Sequence, residues 1–177
     1  MREAAARQPP TRPVLLRAMA DNRCRQASFG GSGLPSQADG EARQAAPLLS
    51  IVHLLVRRDR IVATVRVNPA RPNSTPRIAR TLVSVLPDLP RHACVNPEGD
   101  YFASVMDHTS LPHVLEHVVI DLQARASAAT DPDRVYKGVT RWADASRGLA
   151  TVEVSYHDDV TGIRAFRDAA ALINGLR

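Results

Sequence analysis

Apolar and polar residues alternate most regularly in "LLSIVHLLVRRDRIVATVRV", from Leu48 to Val67. Leu48–Val56 and Arg60–Val67 are two β-rich runs joined at Arg57–Asp59. In the second run Arg60, Ala63/Thr64 and Arg66 interrupt the apolar residues in near-alternation, as in a strand with one wet face. The pair reads as a hairpin. Helical spacing follows: Ile78, Leu82, Val85 and Leu86 recur on one stripe, Ser74 or Thr75 is a suitable N-cap, and Pro76 fits the first helical position. Pro87 and Pro90 stop that run. After the connector "RHACVNPEGDYFASVMDH" a second helical run begins at "TSLPHVLEHVVIDLQARAS". Val135–Trp142 and Leu149–His157 then form a second hairpin across "ADASRG". Asp158 or Asp159 caps a last helix through Leu176, with Ile163, Phe166, Ala170 and Ile173 on its apolar side. The order is ββααββα, an α+β domain whose largely antiparallel four-stranded sheet is covered by helices.

Residues 1–47 lack this patterning. They are rich in Ala, Arg, Pro, Gly, Ser and Gln, and such a segment buries too little apolar surface to offset its ordering entropy. We expect a disordered leader over 1–47 and one domain over 48–177. A start of translation at Met19 would remove part of the leader.

Composition narrows the function classes. Of the formal charge of +5, residues 1–47 contribute +3 from seven basic and four acidic side chains. The domain itself has no basic footprint or aromatic stacking pattern for nucleic acid. No apolar run approaches membrane-spanning length. No signal-peptide pattern is present. The two cysteines, Cys24 and Cys94, have no zinc-knuckle spacing. These features lead to the expectation of a cytoplasmic protein that neither binds nucleic acid nor enters a membrane.

The chemistry-bearing motif is H-x-x-E-H at His113, Glu116 and His117. Positions i and i+4 lie one helical turn apart on the same face, so both imidazoles can reach one metal ion. Glu116 projects near that face, where it can hold a water. This is the inverted zincin pattern of two imidazole ligands, a carboxylate base and a third ligand from elsewhere. Leu115, Val118, Val119 and Leu122 form the opposite, anchoring stripe, and Ile120 falls close to the histidines. Without metal, the same helix would simply cover the sheet while its histidines bond to backbone or water. Asp121 and Arg125 read as an ordinary i,i+4 pair. His92 and Cys94 in "RHAC" carry ligand-capable side chains, but packing at a helix end is the expectation for them.

From about Leu48 to Leu176 the chain resembles the amino-terminal domain of cyanophycin synthetases. "HTSLPHVLEHVVIDLQ" is similar to the family's "GTxxGHxxEHxALELQ", and "LVSVLPDLPRHACV" to "LVxVLPxLxEHxCS". Likewise "VYKGVTR…GLATVEVSYHDD" resembles "VGFGxTR…GxYxVVFEYxEE", and "IRAFRDAAALIN" the final arginine- and alanine-rich helix. In several synthetases that domain looks like a zinc metallopeptidase which cuts cyanophycin, a poly-aspartate bearing arginine on each side chain; in others it is structural. The resemblance implies zinc held by His113 and His117, with Glu116 as general base. The chain departs from the family at His108 and Pro112, which replace glycines, and at Val154-Ser155-Tyr156, which replaces "FEY" and its glutamate. Strand alternation puts Glu153 and His157 on the face of Ser155, so either is the expected third ligand. The ATP-grasp and Mur-ligase-like modules are not in this sequence. Two readings follow: a stand-alone zinc hydrolase acting on a cyanophycin-like Asp/Arg polymer or peptide, or a non-catalytic scaffold for a separately encoded ligase.

Overall fold

The two hairpins form where the alternation predicts them and pair with each other to make one sheet. The computed structural model describes residues 46–176 together with the backbone of Pro13–Val14. Its strands are β1 (Pro13–Val14), β2 (Leu49–Val56), β3 (Arg60–Val67), β4 (Ala93–Asn96), β5 (Gly99–Tyr101), β6 (Gly138–Asp144) and β7 (Leu149–Ser155). The helices are α1 (Pro76–Val85), α2 (Leu111–Ser127) and α3 (Asp159–Gly175). The main sheet runs β1-β2-β3-β7-β6 with every pairing antiparallel. Four long strands therefore make an antiparallel sheet, and the two residues of β1 extend its edge beside Leu54 and Leu55. The disorder expected over 1–47 otherwise falls outside the described residues.

Strand phase decides which face is covered. In β3, Ile61, Ala63, Val65 and Val67 are buried, and across the register Val154, Val152 and Ala150 of β7 meet the first three. The other phase carries Arg60, Thr64, Arg66, Thr151, Glu153 and Ser155, which no helix covers among the described residues. α2 and α3 pack on the apolar face. The β6–β7 turn needs a backbone that L side chains rarely adopt: Gly148 has φ 64°, and a Cβ there would sit 2.7 Å from the Val67 carbonyl oxygen.

Caps set the helix boundaries. Thr75 Oγ1 accepts from Ile78 N and Pro76 occupies the first turn of α1, as its sequence predicts. Asp158 caps α3 through Thr161 N at 2.7 Å. α2 starts from a pinned position: Leu111 N donates to Pro72 O and Ser74 N to Thr109 O, tying its entry to the loop before α1. Pro112, one of the replaced glycines, sits in the first turn where its missing N–H is harmless.

α2 is not amphipathic in the simple sense that the motif suggested. Glu116, His117, Asp121 and Gln123 are buried alongside Leu115, Val118 and Val119. The reason lies in the connector, which folds instead of trailing. β4 and β5 form a small hairpin across Asn96–Gly99, a sequence with turn-forming Asn, Pro and Gly in order. A short 3₁₀ turn, Phe102–Ser104, follows, and these elements cover the polar side of α2. No helix among the described residues is long and apolar enough to cross a membrane.

Candidate metal centre

His113 and His117 do face the same way. Their Nε2 atoms are 3.2 Å apart, and Cys94 Sγ from β4 lies 3.4 Å from His113 Nε2. Ligand atoms of these three side chains all fall within 4.8 Å of one another. Tetrahedral zinc, with nitrogen at about 2.0–2.1 Å and thiolate sulfur at about 2.3 Å, holds neighbouring donors roughly 3.3–3.6 Å apart. The separations of 3.2 Å and 3.4 Å lie within about 0.1 Å of that range. Catalytic zinc sites use three protein ligands drawn from Cys, His and carboxylate side chains and keep the fourth position open.

The surroundings orient the two rings. His113 Nδ1 is 2.8 Å from the Thr109 hydroxyl, which leaves its Nε2 for the cluster. Phe102, fully buried, stacks on His117 with ring centroids 3.9 Å apart and meets His113 edge-on. Burial pushes the His113 imidazole below its ordinary pKa. His117 falls to about 3, chiefly through burial, with its His113 and His92 neighbours adding to the effect. Both rings are thus neutral at physiological pH, the form that coordinates a metal. Burial holds the Cys94 thiol above its usual pKa, and the Glu116 carboxylate nearby adds to that.

Glu116 stands one turn after His113 and directly before His117, at the wall formed by β6. Thr140 Oγ1 donates to Glu116 Oε2 at 2.6 Å. Burial raises the Glu116 carboxyl above the usual carboxylate range, and the Thr140 hydrogen bond partly offsets the rise. Gly138 makes room for it: a Cβ there would come within 2.5 Å of Glu116 Cγ and 2.6 Å of Oε1. Cys94, His113, Glu116 and His117 all line a groove of about 720 Å³, together with Lys137 and Trp142 of the opposite wall. The arrangement offers three soft or borderline ligands, a buried base and an open side for substrate.

The other expected ligands are elsewhere. Glu153 lies on the uncovered face, where it pairs with Arg60 at 3.1 Å and Arg141 at 3.6 Å. His157 is exposed in the turn before α3. Neither joins the cluster; Cys94 takes the third place instead. Ser155, at the replaced glutamate, shares the Glu153 face and accepts from Lys137 N through its hydroxyl. That replacement therefore removes nothing from the cluster. Cys94, noted in the sequence as ligand-capable but expected to pack at a helix end, joins the cluster instead; Thr140 and Gly138 were not picked out as site residues, although "KGVT" falls within a stretch that carries the family resemblance.

A family profile described as the cyanophycin synthase-like N-terminal domain matches residues 61–177. The chain belongs to this family. It is also 30% identical over 105 residues to a cyanophycin synthetase of Synechocystis sp., a match covering 59% of this chain and 11% of the relative. Within the cyanophycin synthase-like N-terminal domain, then, the match takes in β3 to α3 and every residue of the cluster. The synthetase itself is a far longer protein.

Proposed function

We propose that this domain is a zinc-dependent amide hydrolase of the cytoplasm that acts on cyanophycin or a related Asp/Arg amide. One observation carries the reading: Cys94, His113 and His117 bring ligand atoms within 4.8 Å of one another beside the buried Glu116 carboxylate. Cys94, His113 and His117 would hold the ion. Bound there, zinc supplies Lewis-acid polarisation of a carbonyl and a water of lowered pKa. Glu116, set by Thr140 and its apolar surroundings, accepts the proton of the attacking water and returns it to the leaving amine. Burial moves the Glu116 carboxyl upward, the direction that strengthens it as a base. A groove of about 720 Å³ beside β6 and α2 opens onto these residues. The substrate class rests on the family relation.

The test is metal analysis of protein purified without a His tag, followed by turnover of cyanophycin by wild type and Glu116→Gln. About one equivalent of zinc, and a variant that keeps the metal but loses turnover, is the expected result. Metal below roughly a tenth of an equivalent, with no zinc-dependent rise in melting temperature, overturns it. A non-catalytic scaffold for a separately encoded ligase is favoured by one fact: the matched synthetase joins this domain to a much longer chain.

A further inference from the structure

His117 has a second ring nitrogen, and it points away from the cluster. Its Nδ1 lies 3.4 Å from Nδ1 of His92. The other nitrogen of His92, Nε2, is 3.3 Å from Asp121 Oδ1, and Asp121 Oδ2 accepts from Arg125 Nε at 2.6 Å. Asp121 is 2% exposed, so its charge has to be met by these partners rather than by water. The pair with Arg125 is therefore not the solvated surface pair that i,i+4 spacing implies. One oxygen is turned inward to His92.

The donor and acceptor inventory gives this line one consistent direction for its protons. An ionised carboxylate only accepts, so a neutral His92 paired with it carries its proton on Nε2 and presents a lone pair at Nδ1. His117 must then donate from Nδ1, which leaves the lone pair on Nε2. That is the atom facing His113, whose Nε2 in turn is 3.4 Å from Cys94 Sγ. We propose that Asp121 and His92 are positioning residues, a relay that fixes the tautomer and ring orientation of His117 so that Nε2 presents its lone pair to the cluster. The proposal deepens the metal-site reading and rests on it for its purpose.

Several features built into the fold converge on this line. Asp121 sits one helical turn after His117 on α2, the position that brings both to the same side. His92 arrives from the end of a 3₁₀ turn, Leu89–Arg91, and its carbonyl accepts from Phe102 N at 2.9 Å. The same contact therefore registers the ring that stacks on His117 with the ring that hydrogen-bonds it. His92 is not a fourth ligand. It lies beyond Nδ1 of His117, whereas His113 lies beyond Nε2. Partners of this kind on a ligand histidine typically affect metal affinity by about 10–100-fold.

Two measurements decide it. Long-range ¹H–¹⁵N NMR of the wild-type protein, chelator-treated and zinc-loaded, reads the tautomers directly. His92 protonated at Nε2 alone and His117 at Nδ1 are expected in both forms; a proton on His92 Nδ1 in either form overturns the relay. Competition titration with a chromophoric chelator then compares variants. His92→Phe keeps a ring but no acceptor and should bind zinc about 10–100-fold more weakly. His92→Asn places a side-chain amide oxygen near the site of Nδ1 and should stay within about threefold of wild type. Wild-type affinity in His92→Phe, or equal losses in both variants, overturns the relay. Should wild type bind no zinc, the metal reading fails by itself, and the tautomers of the chelator-treated protein still decide the relay.

Discussion

Replacing Gly138 with alanine probes the base without touching any proposed ligand. The new Cβ would stand 2.5 Å from Glu116 Cγ and 2.8 Å from Cδ. Ordinary carbon–carbon contact is about 3.5–4.0 Å, so something must yield by roughly 1 Å. The α2 backbone cannot retreat, because Leu115 and Val119 behind Glu116 are fully buried. Either the Glu116 side chain swings away or edge strand β6 shifts outward, and both separate Thr140 Oγ1 from Oε2. Overpacking of this kind costs about 1–3 kcal/mol. Losing a hydrogen bond to a charged group adds about 1.5–3 kcal/mol when the charge stays buried; part of that is recovered if the carboxylate reaches water. We expect a net loss of about 2–4 kcal/mol in urea unfolding. With Thr140 no longer lowering it, the Glu116 carboxyl should titrate higher if it remains buried; ¹³C NMR of the carboxyl resonance follows that. Zinc content should be unchanged, while turnover falls by about 10²-fold, as misplacing a reacting group by 1 Å does. An alanine variant with wild-type stability and a wild-type Glu116 titration would refute the close-approach reasoning. Thr140→Val isolates the hydrogen bond: its effect on the titration should have the same sign, with a smaller loss of stability.

Three further outcomes are expected. Cys94→Ser should reduce bound zinc and abolish the sulfur-to-metal charge-transfer band of the cobalt-substituted protein, whereas Glu153→Ala and His157→Ala leave both as in wild type; a full band in Cys94→Ser removes it from the ligand set. In chelator-treated protein, the depressed His117 value means the folded state binds fewer protons than the unfolded chain from about 6.5 down to about 3. That contribution to stability is complete above pH 6.5 and fades as pH falls, on the order of a few kcal/mol. The raised Glu116 carboxyl acts in the opposite sense just above the ordinary carboxylate value. Urea midpoints at pH 7.5 and 5.0 should therefore differ less in His117→Gln than in wild type, and equal differences contradict the assignment. Finally, if the domain is a scaffold, the His113→Ala/His117→Ala double variant captures a partner ligase as well as wild type does. The hydrolase reading has that variant lose zinc and turnover.

The elements most legible in the sequence were those governed by local chemistry. Thr75 and Asp158 are side-chain caps, Pro76 opens a helix, and alternation in Arg60–Val67 makes a strand, because each depends on neighbours a few residues away. The histidine pair was legible for the same reason: four residues make one helical turn. The β4–β5 hairpin was missed although "NPEG" is strong turn chemistry, because the flanking strands are too short for alternation to register. With that hairpin went Cys94 and His92, whose approach to α2 depends on contacts 19 and 25 residues apart in sequence.

Expecting Glu153 or His157 as the third ligand was an error of a different kind, and elementary physics corrects it. Alternation shows which residues of β7 share a face but leaves open which face meets the helices. Burial answers that: Ala150, Val152 and Val154 can be taken from water at a gain, whereas Thr151, Glu153 and Ser155 cannot without partners. The apolar set must go under α2, which carries Glu153 to the opposite surface and its arginine partners. The same reasoning disposes of the replaced glutamate at Ser155, since any side chain in that phase points away from His113 and His117. On the sheet side the approach to α2 comes from β6, whose Gly138 and Thr140 share the apolar phase of β7 through their pairing with Val154 and Val152. One of these yields space to Glu116 and the other donates a hydrogen bond to it, and Cys94 closes the cluster from the hairpin on the far wall of the groove.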